Sequence, residues 1–390
     1  MLKRLSSKIP QYLKNTPYSE NNKLISIFFG LILSFILLLF LSQKSDYIKF
    51  DEVALGTDTK GYLAQIDGHS IHTTKMSEFS LLKRGFELRK LKKTALWLGN
   101  SQLHAINQYK EGQENASPIL LKKLSALQTD LLTLSFANAN LQEHYLVFEY
   151  SKVHLPIKIL YLGIVFDDFR ETGIRADLGL IFQEEEVKNN ILKNALGRQL
   201  VKAYSSKSPK QTNIIYTHQE VSENYLNKLL KGNSLIWRSR DQLQGKFKLQ
   251  LYRARNNIFQ IDATTTRKII PSRYRANMTA LKEILSSAAA SKIQVITYIV
   301  PLRHDVAYPY LKSQYLSFKK EVDEIARALG ARHLDIDQLV PGKYWGVKNS
   351  TTGSKGKELD FMHFQAKGHQ LLANELYKET RALNIEKPTL

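Results

Sequence analysis

The chain of 390 residues contains no cysteine. This absence excludes disulfide bonds, a thiolate nucleophile and cysteine ligands for a metal, and it is compatible with an enzyme that works outside the cytoplasm. The sequence also lacks a phosphate-binding glycine loop, convincing metal-ligand spacing and any zinc-finger or helix-turn-helix pattern. We therefore expect no cofactor, no bound metal and no nucleic-acid partner.

Acidic residues are scarce, because 36 Asp and Glu stand against 56 Lys and Arg, giving a formal net charge of +20. Such a surface favours anionic partners, either a phosphate-rich envelope polymer or acidic lipid head groups; a merely solvated basic surface is the other interpretation. Six bases cluster ahead of the first strong strand pattern: Lys83, Arg84, Arg89, Lys90, Lys92 and Lys93.

Charged residues are missing altogether from one long run, residues 24–42, which is apolar apart from a few serines and a glycine. As a helix it would span roughly 28 Å, close to the hydrocarbon thickness of a bilayer. Because a signal-peptide core has only about 7 to 15 apolar residues, the run favours an uncleaved transmembrane anchor. The basic tail at 1–23 then predicts a cytoplasmic N-terminus, with the rest of the chain on the periplasmic or cell-surface side of the cell membrane.

After a juxtamembrane segment at 43–93, the pattern becomes α/β, and we predict one domain at 94–385 with a mostly parallel sheet. Buried strands are predicted at 94–98, 131–136, 157–165 and 293–300, and helices at 118–127, 141–154, 310–329 and 365–383. An insertion at about 182–270 interrupts this rhythm. It contains predicted helices at 184–204 and 218–230 and a basic stretch at 237–255, and we expect it to form a cap or side subdomain.

Two short motifs carry the candidate chemistry. The turn Gly99-Asn100 places Ser101 on a bend at the carboxyl end of the first strand. Asp360 and His363 stand in the connection before the final helix, where a Gly- and Ser-containing approach at 352–356 would bring them over the same edge of the sheet. A serine hydroxyl needs a base, and the base needs a carboxylate to orient it, which predicts Ser101 as nucleophile, His363 as base and Asp360 as the orienting acid.

These motifs resemble those of the SGNH (GDSL-type) hydrolase superfamily over about residues 94–383. The similarity points to its membrane-anchored branch, which includes the D-alanyl transfer protein of teichoic-acid modification and the alginate-type O-acetylation enzymes. The Gly-Asp-Ser block of that family stands here as Gly99-Asn100-Ser101, and its Asp-x-x-His block stands as residues 360–363. The resemblance implies an SGNH-like three-layer fold and an acyl-serine mechanism.

The family's two oxyanion blocks match less well. Ala137-Asn138 replaces the usual glycine after the second strand, and Asp167-Asp168 with Arg170 replaces the usual asparagine after the third. Backbone amides of Ser101 and of Ala137 or Asn138 would then hold the oxyanion, assisted by Asn140 or Arg170. Arg303 and His304, after the fourth strand, are candidate substrate contacts at the same edge.

Each of these residues also has a structural interpretation. Ser101 would otherwise cap a helix, His363 would lie on the surface, and Asn138 and Asn140 would be turn residues. His304 and Asp305 form a rival base and acid pair, while Asp167 and Asp168 allow either a metal site or a local ion pair. His104 is expected to cap or pack, and His369 to pack on the last helix.

The sequence as a whole predicts a membrane-anchored serine esterase or O-acyltransferase that acts on an envelope polysaccharide or a teichoic-like polymer. The resemblance adds a membrane-bound O-acyltransferase as the partner that supplies the acyl group. Two alternatives stay open: a non-catalytic envelope scaffold or polymer-binding protein on the same fold, and an enzyme that hydrolyses lipid or peptidoglycan esters.

Overall fold

The computed structural model describes residues 28–34, 58–207, 251, 253–350 and 356–385. Residues 28–34 of the predicted anchor form a helix. The rest of the anchor, the predicted helix at 218–230 and most of the basic stretch at 237–255 lie outside the described residues. Within the described ranges, no helix combines the length and the apolar character needed to cross a membrane.

The secondary structure alternates between strands and helices along most of the chain. The strands are β1 (Thr59–Gly61), β2 (Gln65–Ile66), β3 (His69–Ser70), β4 (His72–Thr73), β5 (Lys93–Gly99), β6 (Ala105–Asn107), β7 (Thr129–Ser135), β8 (Ile157–Ile164), β9 (Gln294–Ile299), β10 (Arg332–Asp335), β11 (Trp345–Asn349) and β12 (Lys357–Phe364). The helices used below are α1 (Phe79–Arg89), α2 (Ala116–Ser125), α3 (Leu141–His154), α4 (Glu185–Ile191), α5 (Ala195–Lys207), α6 (Pro271–Ala290), α7 (Lys312–Ala328) and α8 (Ala366–Ile385).

Six parallel strands form the main sheet, in the spatial order β10-β9-β8-β5-β7-β4. The α/β class and the mostly parallel sheet predicted from the sequence are confirmed. The chain steps from β5 to β7 in one direction and from β7 to β8 in the other, so right-handed crossovers place α2 and α3 on opposite faces. On one face α3 packs against α6, and on the other α2 packs against α8, which makes three layers.

The core lies on both faces of β5, one of the two central strands of this sheet. Leu96, Trp97 and Leu98 are completely buried, as the uninterrupted apolar run predicts for a strand covered by helices on both faces. The indole Nε1 of Trp97 donates to the hydroxyl of Tyr298 on β9 at 2.9 Å. These buried contacts fix the carboxyl end of β5, and the turn that begins at Ser101 follows directly.

The sheet extends beyond the predicted start of the domain at residue 94. β4 pairs with β7 in parallel, and β1 pairs with β6 in antiparallel register, Thr59 opposite Asn107. The predicted helix at 184–204 is divided into α4 and α5. Residues before 94 therefore contribute both to the sheet edge and, through β1, to the surroundings of the candidate site.

The hairpin β11–β12 corrects one expectation. Asp360 and His363 do not stand in a flexible connection but on β12, which pairs antiparallel with β11. The register shifts between Trp345 and Val347, so that residues 360–363 of β12 stand opposite Gly346 alone and the irregularity lies in the stretch that carries Asp360 and His363. Paired residues flank this stretch on both sides, Leu359 opposite Val347 and Phe364 opposite Trp345.

Candidate active site

The candidate nucleophile sits on a tight turn at the carboxyl end of β5. The side-chain oxygen of Asn100 accepts from the amide of Gln102 at 3.0 Å and so caps a single 3-10 turn that begins at Ser101. A Cβ at Gly99 would lie 2.7 Å from Cδ1 of Leu103, so a larger residue there would displace the Leu103 side chain. Ser101 is half-buried, with its hydroxyl directed to the next group.

Ser101, His363 and Asp360 form one hydrogen-bonded chain. Oγ of Ser101 lies 3.0 Å from Nε2 of His363, and Nδ1 of His363 lies 3.0 Å from Oδ2 of Asp360. Because an ionised carboxylate only accepts, Nδ1 carries the proton and Nε2 is left to accept the proton of the serine hydroxyl. The sequence prediction named these three residues, and the structure brings them together across 262 residues of chain.

Asp360 is held in its ionised form by its surroundings. Its residue is 2% exposed, and burial alone would raise its pKa, but the charge of His363, the hydrogen bond with it and the charge of Lys348 lower the pKa well below the usual range. Oδ1 accepts from the amides of Met362 and His363, both at 2.9 Å, while Oδ2 also accepts from Nδ2 of Asn107 at 3.1 Å. Four donors therefore fix this carboxylate.

Asn107 is a supporting residue that the sequence analysis did not find. It ends β6 fully buried, and its Nδ2 reaches Asp360, the hydroxyl of Thr59 at 3.1 Å and the carbonyl of Val347 at 3.2 Å. The missing side chain of Gly346 makes room for it, because a Cβ at Gly346 would lie 1.9 Å from Oδ1 of Asn107. Asn107 therefore joins β1, β6 and β11 to the orienting acid.

Gln102 is a second supporting residue that the sequence analysis missed. Its side chain is completely buried, and Nε2 donates to the carbonyls of Pro301 and Met362, each at 2.8 Å. Since Gln102 follows Ser101 and Met362 precedes His363, one amide group links the two backbones that carry nucleophile and base. No local sequence pattern indicates this role.

Backbone amides supply the candidate oxyanion hole. The N–H groups of Ser101, Ala137 and Asn138 donate to none of the described residues. The amide of Phe136 donates to the carbonyl of Gly99 at 3.0 Å, which holds the end of β7 beside the nucleophile turn. Asn138 is exposed and left-handed, with φ 51°, while Ala137 is half-buried. The arrangement offers main-chain donors at the place where the oxyanion of an acyl-transfer reaction would form.

Asn140 serves as a helix cap instead of an oxyanion donor. Its Oδ1 accepts from the amide of Glu143 at 3.0 Å, and the carboxylate of Glu143 returns to the amide of Asn140, which is the capping box of α3. Its Nδ2 donates to the carbonyl of Gly173 at 2.7 Å. Both ends of the side-chain amide are thus engaged away from Ser101.

Arg170 is likewise engaged elsewhere. Its Nη1 contacts Oδ1 of Asp167 at 3.0 Å, and its Nε donates to the carbonyl of Lys268 at 2.8 Å. Asp167 also pairs with Arg267 and accepts from the hydroxyl of Tyr310. The ion-pair interpretation of this loop is therefore the one that the structure shows, and no three His, Asp or Glu side chains in the described ranges converge as a metal site.

Asp168 lies behind the nucleophile turn. Its residue is 2% exposed, and burial followed by the charge of Asp167 raises its pKa well above the usual range, against the hydrogen bond from Asn100 that lowers it. The hydrogen bond from Asn100 ties this buried carboxyl to the nucleophile turn. Asp168 takes the position where the resemblance leads one to look for an asparagine.

Arg303 braces the bulged hairpin. Its guanidinium donates to both carboxylate oxygens of Asp305 and, through Nη1, to the carbonyl of Gly346 at 2.8 Å, while its amide donates to the carbonyl of Phe361. Asp305 therefore pairs with Arg303 and does not orient His304. His304 and Asp305 do not form the alternative pair of base and acid. His304 is half-buried, and its buried Nδ1 has no hydrogen-bond partner among the described residues.

Comparison with known proteins does not assign the chain to a family. No protein-family model matches the chain, and a search of curated proteins finds no significant match. Two crystal structures are similar. One, from Bacteroides fragilis NCTC 9343, is provisionally assigned as an acylhydrolase and shares 10% identity, with a TM-score of 0.34, over 77% of this chain and 96% of that one. The other, from Parabacteroides merdae ATCC 43184, is provisionally assigned as a GDSL-like lipase and shares 12% identity, with a TM-score of 0.35, over 75% of this chain and 98% of that one. The sequence identity and the TM-score are low for both structures, so neither likeness indicates the function of this chain.

Proposed function

We propose that this protein is a serine acyltransferase or esterase that works through an acyl-serine intermediate, on an SGNH-like domain. The observation that carries the proposal is the hydrogen-bonded chain from Asp360 through His363 to Ser101 at the carboxyl edge of the sheet. Nucleophile, base and orienting acid in this order are the parts that acyl transfer requires.

In the first half-reaction, Oγ of Ser101 attacks the carbonyl carbon of an acyl ester while its proton passes to Nε2 of His363. The carbonyl oxygen becomes an oxyanion beside the amides of Ser101 and Ala137. When it collapses, the bond to the leaving-group oxygen breaks, and His363 returns the proton to that oxygen. Asp360 stabilises the imidazolium that exists between these two proton transfers.

The second half-reaction decides between transferase and esterase. His363 takes the proton of an incoming hydroxyl, whose oxygen attacks the acyl carbon; the bond to Oγ breaks and Ser101 recovers its proton. If the hydroxyl belongs to water, the product is a free acid. If it belongs to a sugar or polymer, the product is a new ester.

The proposed acceptor or substrate is an envelope polysaccharide or a teichoic-like polymer. Three sequence features support it: the apolar run at 24–42, the basic tail before that run and the excess of positive charge, +20 overall. The protein would then be a single-pass protein of the cell membrane with its catalytic domain outside. A membrane-bound O-acyltransferase is the proposed donor of the acyl group.

The experiment that tests the chemistry labels the full-length protein, purified in mild detergent, with a fluorophosphonate probe and follows its hydrolysis of an aryl acetate. We expect wild-type protein to be labelled and to release acetate, and Ser101→Ala and His363→Ala to do neither. Ser313→Ala is the matched control, because Ser313 is an exposed serine on α7 outside the site, and it should behave like wild type.

A second assay adds soluble oligosaccharides and polyol phosphates to the acyl-enzyme and detects acylated products by mass spectrometry. Acylated product would identify a transferase, and free acetate alone an esterase. Labelling equal in wild type and Ser101→Ala, or absent from both alongside absent hydrolysis, would refute the acyl-serine mechanism and favour a scaffold or polymer-binding protein on this fold.

A further inference from the structure

A pair of buried histidines lies behind the nucleophile turn, and the triad does not use it. Oγ of Ser135, the last residue of β7, lies 2.7 Å from Nε2 of His72 and 2.7 Å from Nδ1 of His104. The two imidazole centroids are 6.2 Å apart. Burial lowers the pKa of His72 well below its usual range and that of His104 to about 3, so both rings are neutral at pH 7.

The far nitrogen of His72 faces hydrogen-bond donors. Nδ1 of His72 lies 3.4 Å from Nδ2 of Asn115 and 3.4 Å from the hydroxyl of Ser117. The Asn115 amide is oriented by its other contacts, since its Oδ1 accepts from the amide of Ser117 and its Nδ2 donates to the carbonyl of Tyr62. Nδ1 of His72 is therefore the acceptor, and the single proton of this neutral ring is on Nε2.

The donor and the acceptor of each hydrogen bond between His72, Ser135 and His104 can then be assigned in turn. Nε2–H of His72 donates to Oγ of Ser135. Ser135 has one hydroxyl proton, and its remaining described partner is Nδ1 of His104, so Ser135 donates there. Because Nδ1 of His104 accepts, the proton of the neutral His104 ring is on Nε2. The chain thus ends in an N–H group of defined tautomer.

That N–H group belongs to the active-site turn. The amide of His104 donates to the carbonyl of Ser101 at 3.2 Å, so the ring projects from the turn that carries the nucleophile. The contact of its Nδ1 with Ser135 places the ring beside the end of β7, two residues before Ala137, whose amide is a candidate oxyanion donor. Nε2 of His104 has no partner among the described residues, and the residue keeps 8% of its surface exposed.

We propose that Nε2–H of His104 donates a hydrogen bond to the acyl oxygen while negative charge develops on it, and that Ser135 and His72 are positioning residues that fix the donor tautomer. This inference rests on the proposed acyl-serine function. It supplies the side-chain donor that Asn140 and Arg170, both engaged elsewhere, do not supply. A neutral imidazole suits this task, because it donates without attracting the proton that His363 must handle.

The kinetic test compares four variants of the full-length protein in aryl acetate hydrolysis. His104→Leu removes the donor, and we expect kcat to fall about a hundred- to a thousandfold with little change in KM. His104→Gln keeps an N–H at about the same distance from the main chain and should recover part of that loss. Ser135→Ala should lower kcat about five- to tenfold, the rate equivalent of one neutral hydrogen bond. His144→Leu, which changes another buried histidine, is the control and should leave kcat unchanged.

A spectroscopic test separates a donor from a merely structural residue. Protein labelled with ¹⁵N-histidine gives long-range ¹H–¹⁵N correlations that distinguish the two neutral tautomers, and loss of a signal in His104→Gln assigns the residue. We expect the Nε2–H tautomer in wild type and a mixture in Ser135→Ala. Phosphonylation of Ser101 places an anionic oxygen where the oxyanion forms, so the Nε2–H proton of His104 should shift downfield.

Failure of the His104 donor role can be distinguished from failure of the acyl-serine mechanism. If wild-type protein is labelled but His104 carries its proton on Nδ1, or its Nε2–H signal does not move on phosphonylation, the donor role is refuted and the acyl-serine mechanism stands. If His104→Leu lowers stability but not kcat, the role is also refuted. If wild type neither labels nor hydrolyses, the proposed function fails and the donor role fails with it.

Discussion

Nδ2 of Asn107 lies 3.1 Å from Oδ2 of Asp360, the oxygen that also faces Nδ1 of His363. The carboxylate that orients the base is thus itself oriented by a neighbour on β6. This relationship makes the candidate site dependent on elements that precede and surround the catalytic motifs.

Replacing Asn107 with leucine should weaken catalysis without unfolding the protein. A hydrogen bond to a charged group is worth about 1.5–3 kcal/mol, so we expect kcat for an aryl ester to fall about ten- to a hundredfold. The matched control is Thr59→Val, which removes the other side-chain partner of Asn107 but no contact to Asp360. Equal kcat values in the two variants would show that Asn107 does not orient the acid.

Replacing Gly346 with alanine should displace Asn107, which orients the Asp360 carboxylate, and should destabilise the protein. The new Cβ would lie 1.9 Å from Oδ1 of Asn107, and overpacking of this kind costs about 1–3 kcal/mol of unfolding free energy. Gly61→Ala is the control, because nothing lies within 4 Å of a Cβ there.

A double-mutant cycle makes the prediction for Gly346 sharper. In an Asn107→Ala background the clash disappears, so Gly346→Ala should cost much less stability than it does in wild type, as measured by urea unfolding. Additive costs in the double variant would show that Gly346 and Asn107 are not coupled.

Changing Asp360 to asparagine should have a larger effect than either of these. An asparagine amide that donates to Nδ1 of His363 would move the ring proton to Nε2, where it faces Ser101 and blocks the transfer. We expect kcat to fall by about 10⁴ while the fold persists, as in other serine triads. Steady-state kinetics together with circular dichroism measure both quantities. Activity within tenfold of wild type would exclude Asp360 as the orienting acid.

The main elements follow from sequence because their signals are local. The run around Trp97, buried on both faces, predicts β5, and the capping pair Asn140 and Glu143 marks the start of α3, whose bounds match the predicted helix. The strands and helices predicted outside the insertion end within two residues of the observed bounds. The helix α6 was not predicted, although Pro271 at its first turn is a signal that would have found it.

The site divides into parts that the sequence reveals and parts that it does not. Ser101, His363 and Asp360 stand in short motifs, so they are recognisable without a structure. Asn107 and Gln102 are not, because their partners lie 253 and 260 residues away in the chain. Competing partners, which only a fold reveals, also explain why Asn140 and Arg170 did not take the predicted oxyanion roles.

Buried neutral histidines should make the protein sensitive to acid. Burial lowers the pKa of His144 from 6.5 to about 3, and neither ring nitrogen has a hydrogen-bond partner in the described parts of the chain. Between these two pH values the unfolded chain binds a proton at this residue and the folded chain does not. Stability is therefore complete above pH 6.5 and is lost as the pH falls towards about 3.

Removing His144 should flatten this dependence. In His144→Leu, urea unfolding should lose about 1.4 kcal/mol less per pH unit than wild type in that window. At pH 8 the variant should be more stable by about 1 kcal/mol, because two unpaired polar atoms leave the core. Parallel stability curves for variant and wild type would mean that His144 is protonated in the folded protein.

The last prediction concerns the amide that links the two backbones of the site. Gln102→Leu leaves the carbonyls of Pro301 and Met362 without their side-chain donor, and each buried carbonyl left unpaired costs about 1–3 kcal/mol. Because His363 follows Met362, its distance from Ser101 should also change, and kcat should fall more than about tenfold. Gln370→Leu is the control, since this exposed glutamine on α8 should shift stability by less than about 0.5 kcal/mol. A stable Gln102→Leu protein with wild-type kcat would show that nucleophile and base are held in register by the hairpin alone.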